Sequence, residues 1–456
     1  MSMKGYAESV QNYEDSTVIE SEIIKRIKPT KTETDNLRNS AEKLKKRTED
    51  FINENNLAVT EIRFVGSFAK DTYLSNPDLD LFLMFPPDVP REQLEREGLF
   101  AGEGILGGKR MYAEHPYIRG IFENYEVDMV PCYALNDTKK LKTSVDRTPF
   151  HTEFVLSRLG AKQKDQVRLL KKFMKGISVY GAEPDTRGFS GYLCELLVIR
   201  YGGFRQVMEA ASNWREGTIV EIEGKGPATV APLTVYDPVD SRRNAASAVH
   251  LDTLSLFIVA SCTYLKQPSE KFFFPVERKT LSSNEIGEKI ESHGTKLLTA
   301  MFQRPDVIEE SLYSQLWKTE YALSRKLNDF GFGVLRTVHE INEELWIVFE
   351  LERDALSKTF KHTGPPVWVK NAERFIEKWK ENENGEPFIE DGNWNVVANR
   401  PYITPKELIY EEAAMSGIGR DLDPETMHVL NHEETLNLVS PILLTELLDP
   451  KLSWEN

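Results

Sequence analysis

Asp78 and Asp80 flank Leu79 at the head of an apolar run, Leu81 to Phe85, and a further acid, Asp128, lies within Glu126-Val-Asp-Met-Val-Pro131. Alternate side chains of a strand share a face, so the pair can aim at one point while Asp128 approaches from a second strand. Carboxylates brought together repel unless divalent cations lie among them, and oxygen ligands with retained waters are what Mg²⁺ prefers. Upstream, Gly66 and Ser67 close another apolar strand. Glycine lets the backbone approach closely, and N–H groups at the start of the following helix can meet an anion. Acid pair, third acid and Gly-Ser turn together imply two-metal nucleotidyl transfer. Either motif alone recurs by chance, and Asp78 after Pro77 also suits a plain turn. The ordered set of strand, Gly-Ser, helix, acid-pair strand and third-acid strand carries the inference.

The elements that must position these residues are readable in outline. Val18, Ile23, Ile24 and Ile27 predict a first helix ending near Pro29, and Leu37, Ala41, Leu44, Phe51 and Ile52 predict a second over 34–55. Strands are expected at 58–65, 79–85, 109–113, 118–123 and 126–131, with a helix through Glu92 and Leu99 after the Pro86-Pro87 break. From Lys162 the texture turns helical. Val167, Leu170, Phe173 and Met174 mark an apolar face, while Lys164, Arg168, Lys171 and Lys175 form one cationic stripe. Such a stripe is ordinarily a solvated face; beside an acid cluster it can instead meet phosphates. Further helices are expected over 192–201 and 252–265. Beyond Pro268, strand 296–302, helix 309–330 and strands 334–338 and 345–351 give a β-α-β-β order compatible with a ferredoxin-like sheet. An amphipathic helix over 371–380 and helices after Pro405 follow.

Composition sets the limits. A chain of 456 residues exceeds one comfortable core, so two to four domains are expected. With 40% hydrophobic and 28% charged residues it reads as a soluble globular protein. No run reaches the ~18 apolar residues of a membrane span, and Met1 to Ser16 lacks an apolar signal core. Cys132, Cys194 and Cys262 match neither a disulfide framework nor a zinc spacing, which fits buried thiols in a cytoplasmic protein. A net charge of -15 excludes a uniformly basic coat but not a local basic track for nucleic acid.

Denser motifs then point to one family. Phe64-Val-Gly-Ser-Phe-Ala-Lys70, Leu79-Asp-Leu-Phe-Leu83, Tyr112-Ala-Glu-His-Pro-Tyr117 and Val127-Asp-Met-Val-Pro-Cys-Tyr133 resemble segments of the archaeal class I CCA-adding enzymes, tRNA nucleotidyltransferases of the nucleotidyltransferase superfamily. So do Ser144-Val-Asp-Arg-Thr-Pro-Phe-His151, Arg187-Gly-Phe-Ser-Gly-Tyr-Leu-Cys-Glu195 and Tyr236-Asp-Pro-Val-Asp-Ser-Arg-Arg-Asn244. Similarity is dense from Val65 to about Leu265 and thinner beyond, where Arg304-Pro-Asp306 and Lys361-His-Thr-Gly-Pro-Pro366 also fit.

The resemblance implies an α+β multidomain chain. Residues 1–152 would form a polymerase-beta-like, mixed-sheet nucleotidyltransferase head and 153–267 a helical neck. Residues 268–456 would form an α/β ferredoxin-like body with a helical tail that binds tRNA. It implies Asp78, Asp80 and Asp128 as ligands of two Mg²⁺ ions, with Ser67, Lys70, His151, Lys171 and Tyr180 holding the incoming triphosphate and sugar. Lys70 stands where relatives often carry Arg, which keeps the charge but forgoes two-point phosphate contact. Arg243 is the expected base reader, because one N–H donor suits both cytosine N3 and adenine N1; its rival role is an ion pair with Asp237 or Asp240. The implied partners are CTP, ATP and the acceptor end and minihelix region of tRNA, without a membrane, and the chain can pair as a homodimer. Three other assignments share parts of this pattern: a poly(A) polymerase or oligoadenylate synthetase, a non-catalytic RNA-binding module, and a scaffold assembling through the 371–380 helix.

Overall fold

A computed structural model describes residues 16–75, 77–112, 116–227 and 229–455. Ala113, Glu114 and His115 of the Tyr112–Tyr117 segment, and nearly all of the Met1–Ser16 stretch, lie outside the described residues. Contacts divide the chain into two compact units, Met1–Glu277 with Leu452–Asn456, and Arg278–Lys451. That division falls ten residues beyond the expected 267/268 boundary and returns the last few residues to the first unit.

The first unit opens with helix α1 over residues 16–27 and α2 (Lys31–Glu54), the latter started by a capping box in which Thr30 and Glu33 exchange hydrogen bonds. There follow β1 (Glu61–Phe64), α3 (Gly66–Lys70), β2 (Leu79–Phe85), α4 (Arg91–Leu106), β3 (Lys109–Tyr112), β4 (Pro116–Phe122) and β5 (Tyr125–Tyr133). These strands form one mixed sheet in the order β1-β2-β5-β4-β3, in which only β2 and β5 run parallel. Alternation decides its faces. Leu79, Leu81, Leu83 and Phe85 of β2, with Val127 and Met129 of β5, are buried in the core that includes Leu37 and Leu44 of α2 and Leu94 and Ala101 of α4. Burying those side chains turns Asp80 and Asp128 to the other face.

The helical part contains α5 (Thr148–Arg158), α6 (Ala161–Gly176), α7 (Gly191–Tyr201), α8 (Phe204–Ala211) and, after the short parallel pair β6 (Thr218–Val220) and β7 (Leu233–Val235), α9 (Leu251–Lys266). Its core is aromatic: Phe173 touches Phe204, Phe257, Tyr264, Phe272 and Phe273. Trp454 from the chain end stacks on Phe272 at 4.9 Å between centroids.

The second unit is built on α10 (Ser283–His293), β8 (Lys296–Gln303), α11 (Glu309–Phe330), β9 (Val334–Ile341) and β10 (Glu344–Leu351). A small antiparallel sheet follows, from β11 (Thr359–Pro366), β12 (Phe388–Glu390) and β13 (Asn393–Asn399), with α12 (Ala372–Trp379) beside it. Then come α13 (Pro405–Glu412), β14 (His428–Leu430), α14 (His432–Leu438) and α15 (Pro441–Leu448). The sheet order β14-β8-β10-β9, antiparallel throughout, is the ferredoxin-like arrangement expected from β-α-β-β, with β14 as the fourth strand. Side chains of α11 and α13 share a core with one set of its residues, including Ala300, Ile347 and Phe349. Those of α10 and α15 share another with Leu297 and Val348, so neither face is left bare for RNA to stack on.

Candidate active site

The parallel register of β2 and β5 sets Asp80 directly beside Asp128. Gly66 explains why the upstream turn carries glycine. Its φ is +66°, and a Cβ there would lie 1.8 Å from Asp80 Oδ2, so the carboxylate packs against the bare turn backbone. Helix α3 begins beyond Val65 without a side-chain cap, and Ser67 lies in its first turn. No side-chain donor reaches the Asp80 carboxylate among the described hydrogen bonds. Burial, then the charge of Asp128, push its pKa up to about 6. Asp78 is raised by the same two causes in the same order. Asp128 has found a cation: Arg119, opposite it on β4, donates from Nε and Nη2 at 2.7 Å each. No group of three His, Cys, Asp or Glu poised to hold a metal ion occurs among the described residues. The donors nonetheless suit a hard divalent cation, being carboxylate oxygens on one face whose mutual repulsion adds to burial in raising Asp78 and Asp80.

A second cluster gathers the lysines. Glu195 of α7 is fully buried and accepts from Lys70 Nζ (2.5 Å), Thr72 Oγ1 (2.6 Å) and Lys171 Nζ (3.4 Å). Burial alone would raise its pKa, but Lys70 and Lys171 outweigh burial and hold it below the usual carboxylate range. Lys171 also donates to Thr72 O and Thr72 Oγ1, and burial lowers its own pKa. Tyr180 is close by: a Cβ on Gly191 would lie 3.0 Å from its hydroxyl and 3.5 Å from Lys171 Nζ. Ser190 caps α7 by accepting from Leu193 N, which fixes the helix that carries Glu195.

The cationic stripe of α6 is therefore no solvated face over most of its length. Arg168 is buried and donates to Tyr73 O, Asp71 O and Asp71 Oδ1, and Lys164 pairs with Asp71. These bonds fasten the segment leading to the acid pair. Only Lys175 stays exposed, over the Tyr180 ring at 5.1 Å.

A third cluster centres on Asp237, whose side chain is fully buried. Its Oδ2 accepts from Arg243 Nη1 (3.0 Å) and lies 2.9 Å from His151 Nε2, while Oδ1 accepts from Tyr192 Oη and Val239 N, both at 3.0 Å. Against burial, these partners depress its pKa to about 2. His151 stacks on Tyr192 with centroids 4.0 Å apart, and burial lowers its pKa despite Asp237. A neutral imidazole facing a carboxylate through Nε2 donates there, leaving Nδ1 as an acceptor.

The expected site residues thus fall into three groups: Asp78, Asp80 and Asp128 by the Gly66-Ser67 turn; Lys70, Lys171 and Tyr180 around Glu195; and His151 with Arg243 on Asp237. Sequence reasoning missed Arg119 and the role of Glu195. A lone acid inside the apolar run Leu193–Val198 was the available signal for Glu195.

Comparison with known proteins identifies the family. The family model described as "Nucleotidyltransferase domain" matches residues 45–151, "tRNA nucleotidyltransferase, second domain" matches 165–274, and "CCA-adding enzyme, C-terminal domain" matches 293–430. The CCA-adding enzyme of Methanosarcina mazei is 36% identical over 409 residues, covering 88% of this chain and 90% of its own length. The chain belongs to the CCA-adding enzyme family. Other members are at similar distance: the Thermoplasma volcanium enzyme is 36% identical over 425 residues, covering 91% of this chain and 93% of its own. The Archaeoglobus fulgidus enzyme is 35% identical over 358 residues, covering 78% and 81%. Membership accounts for the α+β multidomain architecture with a nucleotidyltransferase domain. No helix among the described residues is long and apolar enough to cross a membrane.

Proposed function

We propose that this CCA-adding enzyme adds C, C and A to the 3′ end of tRNA from CTP and ATP, using two Mg²⁺ ions held by Asp78, Asp80 and Asp128. The observation that carries the reading is the side-by-side placement of Asp80 and Asp128 on parallel strands, with Asp78 adjoining and the Asp80 carboxyl raised to about 6 by burial and by the charge of Asp128. When bound, the ions would lower the pKa of the primer hydroxyl and neutralise the leaving phosphates. In the reaction the 3′ oxygen of tRNA bonds to the α-phosphorus, the bridge to the β-phosphate breaks, pyrophosphate departs and the hydroxyl proton goes to solvent.

The chain's own residues bind and orient. Ser67 and the start of α3 face the triphosphate, with Lys70 supplying positive charge beside it. Lys171 spends its hydrogen bonds on Thr72 and Glu195, so it acts by charge and by holding the segment that leads to Asp78. His151 Nδ1 accepts from a sugar hydroxyl, and Tyr180 closes the same side. Arg243, pinned by Asp237 and about a third exposed, presents an N–H to the acceptor nitrogen shared by cytosine and adenine. The test is incubation with tRNA lacking its terminal nucleotides and each labelled nucleoside triphosphate in turn. Addition of two C and one A, in that order, is the expected result; incorporation of A alone would assign a poly(A) polymerase instead.

A further inference from the structure

Arg119 belongs to none of the groups that the chemistry requires, yet it makes the closest contact any of the three acids has. It projects from β4 directly opposite Asp128 in the antiparallel register, and its guanidinium grips both carboxylate oxygens at 2.7 Å. Its Nε also lies 3.0 Å from Glu126, two residues back along β5 and thus on the same face as Asp128. Two acids hold the guanidinium over the strand, and the fork geometry uses Asp128's two oxygens at once. A carboxylate engaged in this way cannot offer the same lone pairs to a metal ion.

We propose that Arg119 is a positioning residue that acts through Asp128: an internal cation occupying the third carboxylate until a divalent ion displaces it. The proposal rests on the reading of Asp78, Asp80 and Asp128 as metal ligands. In the free enzyme only Asp78 and Asp80 are open to a cation, so metal binds weakly. With nucleotide present, the added phosphate charge favours the metal-bound state, gives the released guanidinium an alternative anion, and completes the site. Metal affinity and nucleotide affinity are thereby coupled. Arginine suits this better than lysine, because its rigid two-point grip is lost as a unit.

The test is titration of the full-length protein with Mn²⁺ in the absence of nucleotide and tRNA, read by the loss of the free-ion electron paramagnetic resonance signal. Arg119→Gln is expected to bind Mn²⁺ roughly fivefold more tightly than the wild type, the scale of a half-exposed ion pair of about 1 kcal/mol. Thermal unfolding in chelator checks that the variant is folded. Affinity unchanged or weakened in Arg119→Gln overturns the proposal. Arg119→Lys, which keeps the charge but not the fork, is expected between the two; affinity equal to wild type would replace the latch with plain charge repulsion. Asp128→Asn in the Arg119→Gln background separates the readings. If the double variant binds Mn²⁺ as well as Arg119→Gln does, Asp128 is no ligand and the metal-ligand assignment itself fails; if it binds more weakly while Arg119→Gln equals the wild type, only the latch fails.

Discussion

Asp80 and Asp237 are two inward-facing carboxylates of one compact unit, and their surroundings push them in opposite directions. Asp237 accepts from His151, Arg243, Tyr192 and the backbone of Val239, and its pKa falls to about 2. Asp80 is packed against the Gly66 backbone with Asp128 beside it, and its pKa rises to about 6. The first carboxylate is complete within the protein and holds other residues in place. The second accepts from no side chain among the described hydrogen bonds and, on the function proposed above, is left for a divalent cation. The two acids therefore differ here chiefly in what has been arranged around them.

The largest effect expected from that difference is at Asp80. Asp80→Asn should reduce nucleotidyl transfer by roughly three orders of magnitude or more, since it removes a ligand for the charge that must be neutralised. The same substitution should stabilise the metal-free protein. A folded pKa raised above the unfolded ~3.9 means the ionised side chain opposes folding above pH 6, by at most ~3 kcal/mol, and this relaxes as pH falls toward 4. Chemical denaturation in chelator at pH 8 gives the sign; a destabilised variant would erase the contrast with Asp237.

Glu195 lies on the structural side of the comparison but touches residues assigned to the nucleotide. Glutamine in its place keeps the shape, yet its amide nitrogen would face ammonium donors and the charge balancing Lys70 and Lys171 would be gone. Breaking a buried pair in this way costs about 3 kcal/mol. Glu195→Gln is expected to lower unfolding free energy by that order and to raise KM for CTP and ATP far more than KM for tRNA. Equal shifts for all substrates would confine Glu195 to folding.

How much of this was legible beforehand follows from the same physics. Strand alternation and the order of motifs give the convergence of Asp80 and Asp128, because the apolar residues at odd positions of β2 and β5 leave the acids no other face. The β-α-β-β order gives the ferredoxin-like sheet, although β14 spans only His428–Leu430 and is too short to show a period. Arg119 was not legible, since its contact depends on how β4 registers against β5. Nor was the fate of the α6 stripe: periodicity places Lys164, Arg168, Lys171 and Lys175 together but says nothing of what covers the first three, which proved to be Asp71, Thr72 and Tyr73. The β11–β13 sheet was missed because Lys361-His-Thr-Gly-Pro-Pro366 is polar, and its prolines argue against a strand; the ladder shifts register between Thr363 and Pro366.

Acid titration sharpens the comparison from the other side. Asp237 has a folded pKa below its unfolded value, so its contribution is present above pH 4 and is lost as pH falls from about 4 to about 2. The amount is up to ~2.5 kcal/mol. Asp237→Asn should flatten the stability profile across that window while lowering stability at pH 7. A profile as steep as the wild type's would mean that another acid, Glu195 being the nearest candidate, dominates the acid limb.

The smallest effect concerns base choice. Arg243 donates to Asp237 through Nη1, which fixes the guanidinium plane, and the remaining edge is about a third exposed. Partial exposure places its worth at the lower end of the ~1–3 kcal/mol that a good base-edge contact carries, since water can stand in for the lost donor. Arg243→Ala should therefore depress CTP and ATP incorporation by roughly tenfold relative to UTP, with Asp80 chemistry untouched. Competing all four nucleotides on one tRNA preparation reads the ratios directly. Arg243→Lys adds a control, since it keeps a donor but not the fixed plane, and should recover part of the discrimination. If both variants lose overall rate at unchanged ratios, Arg243 serves only to complete Asp237, and the whole cluster belongs with the structural carboxylates.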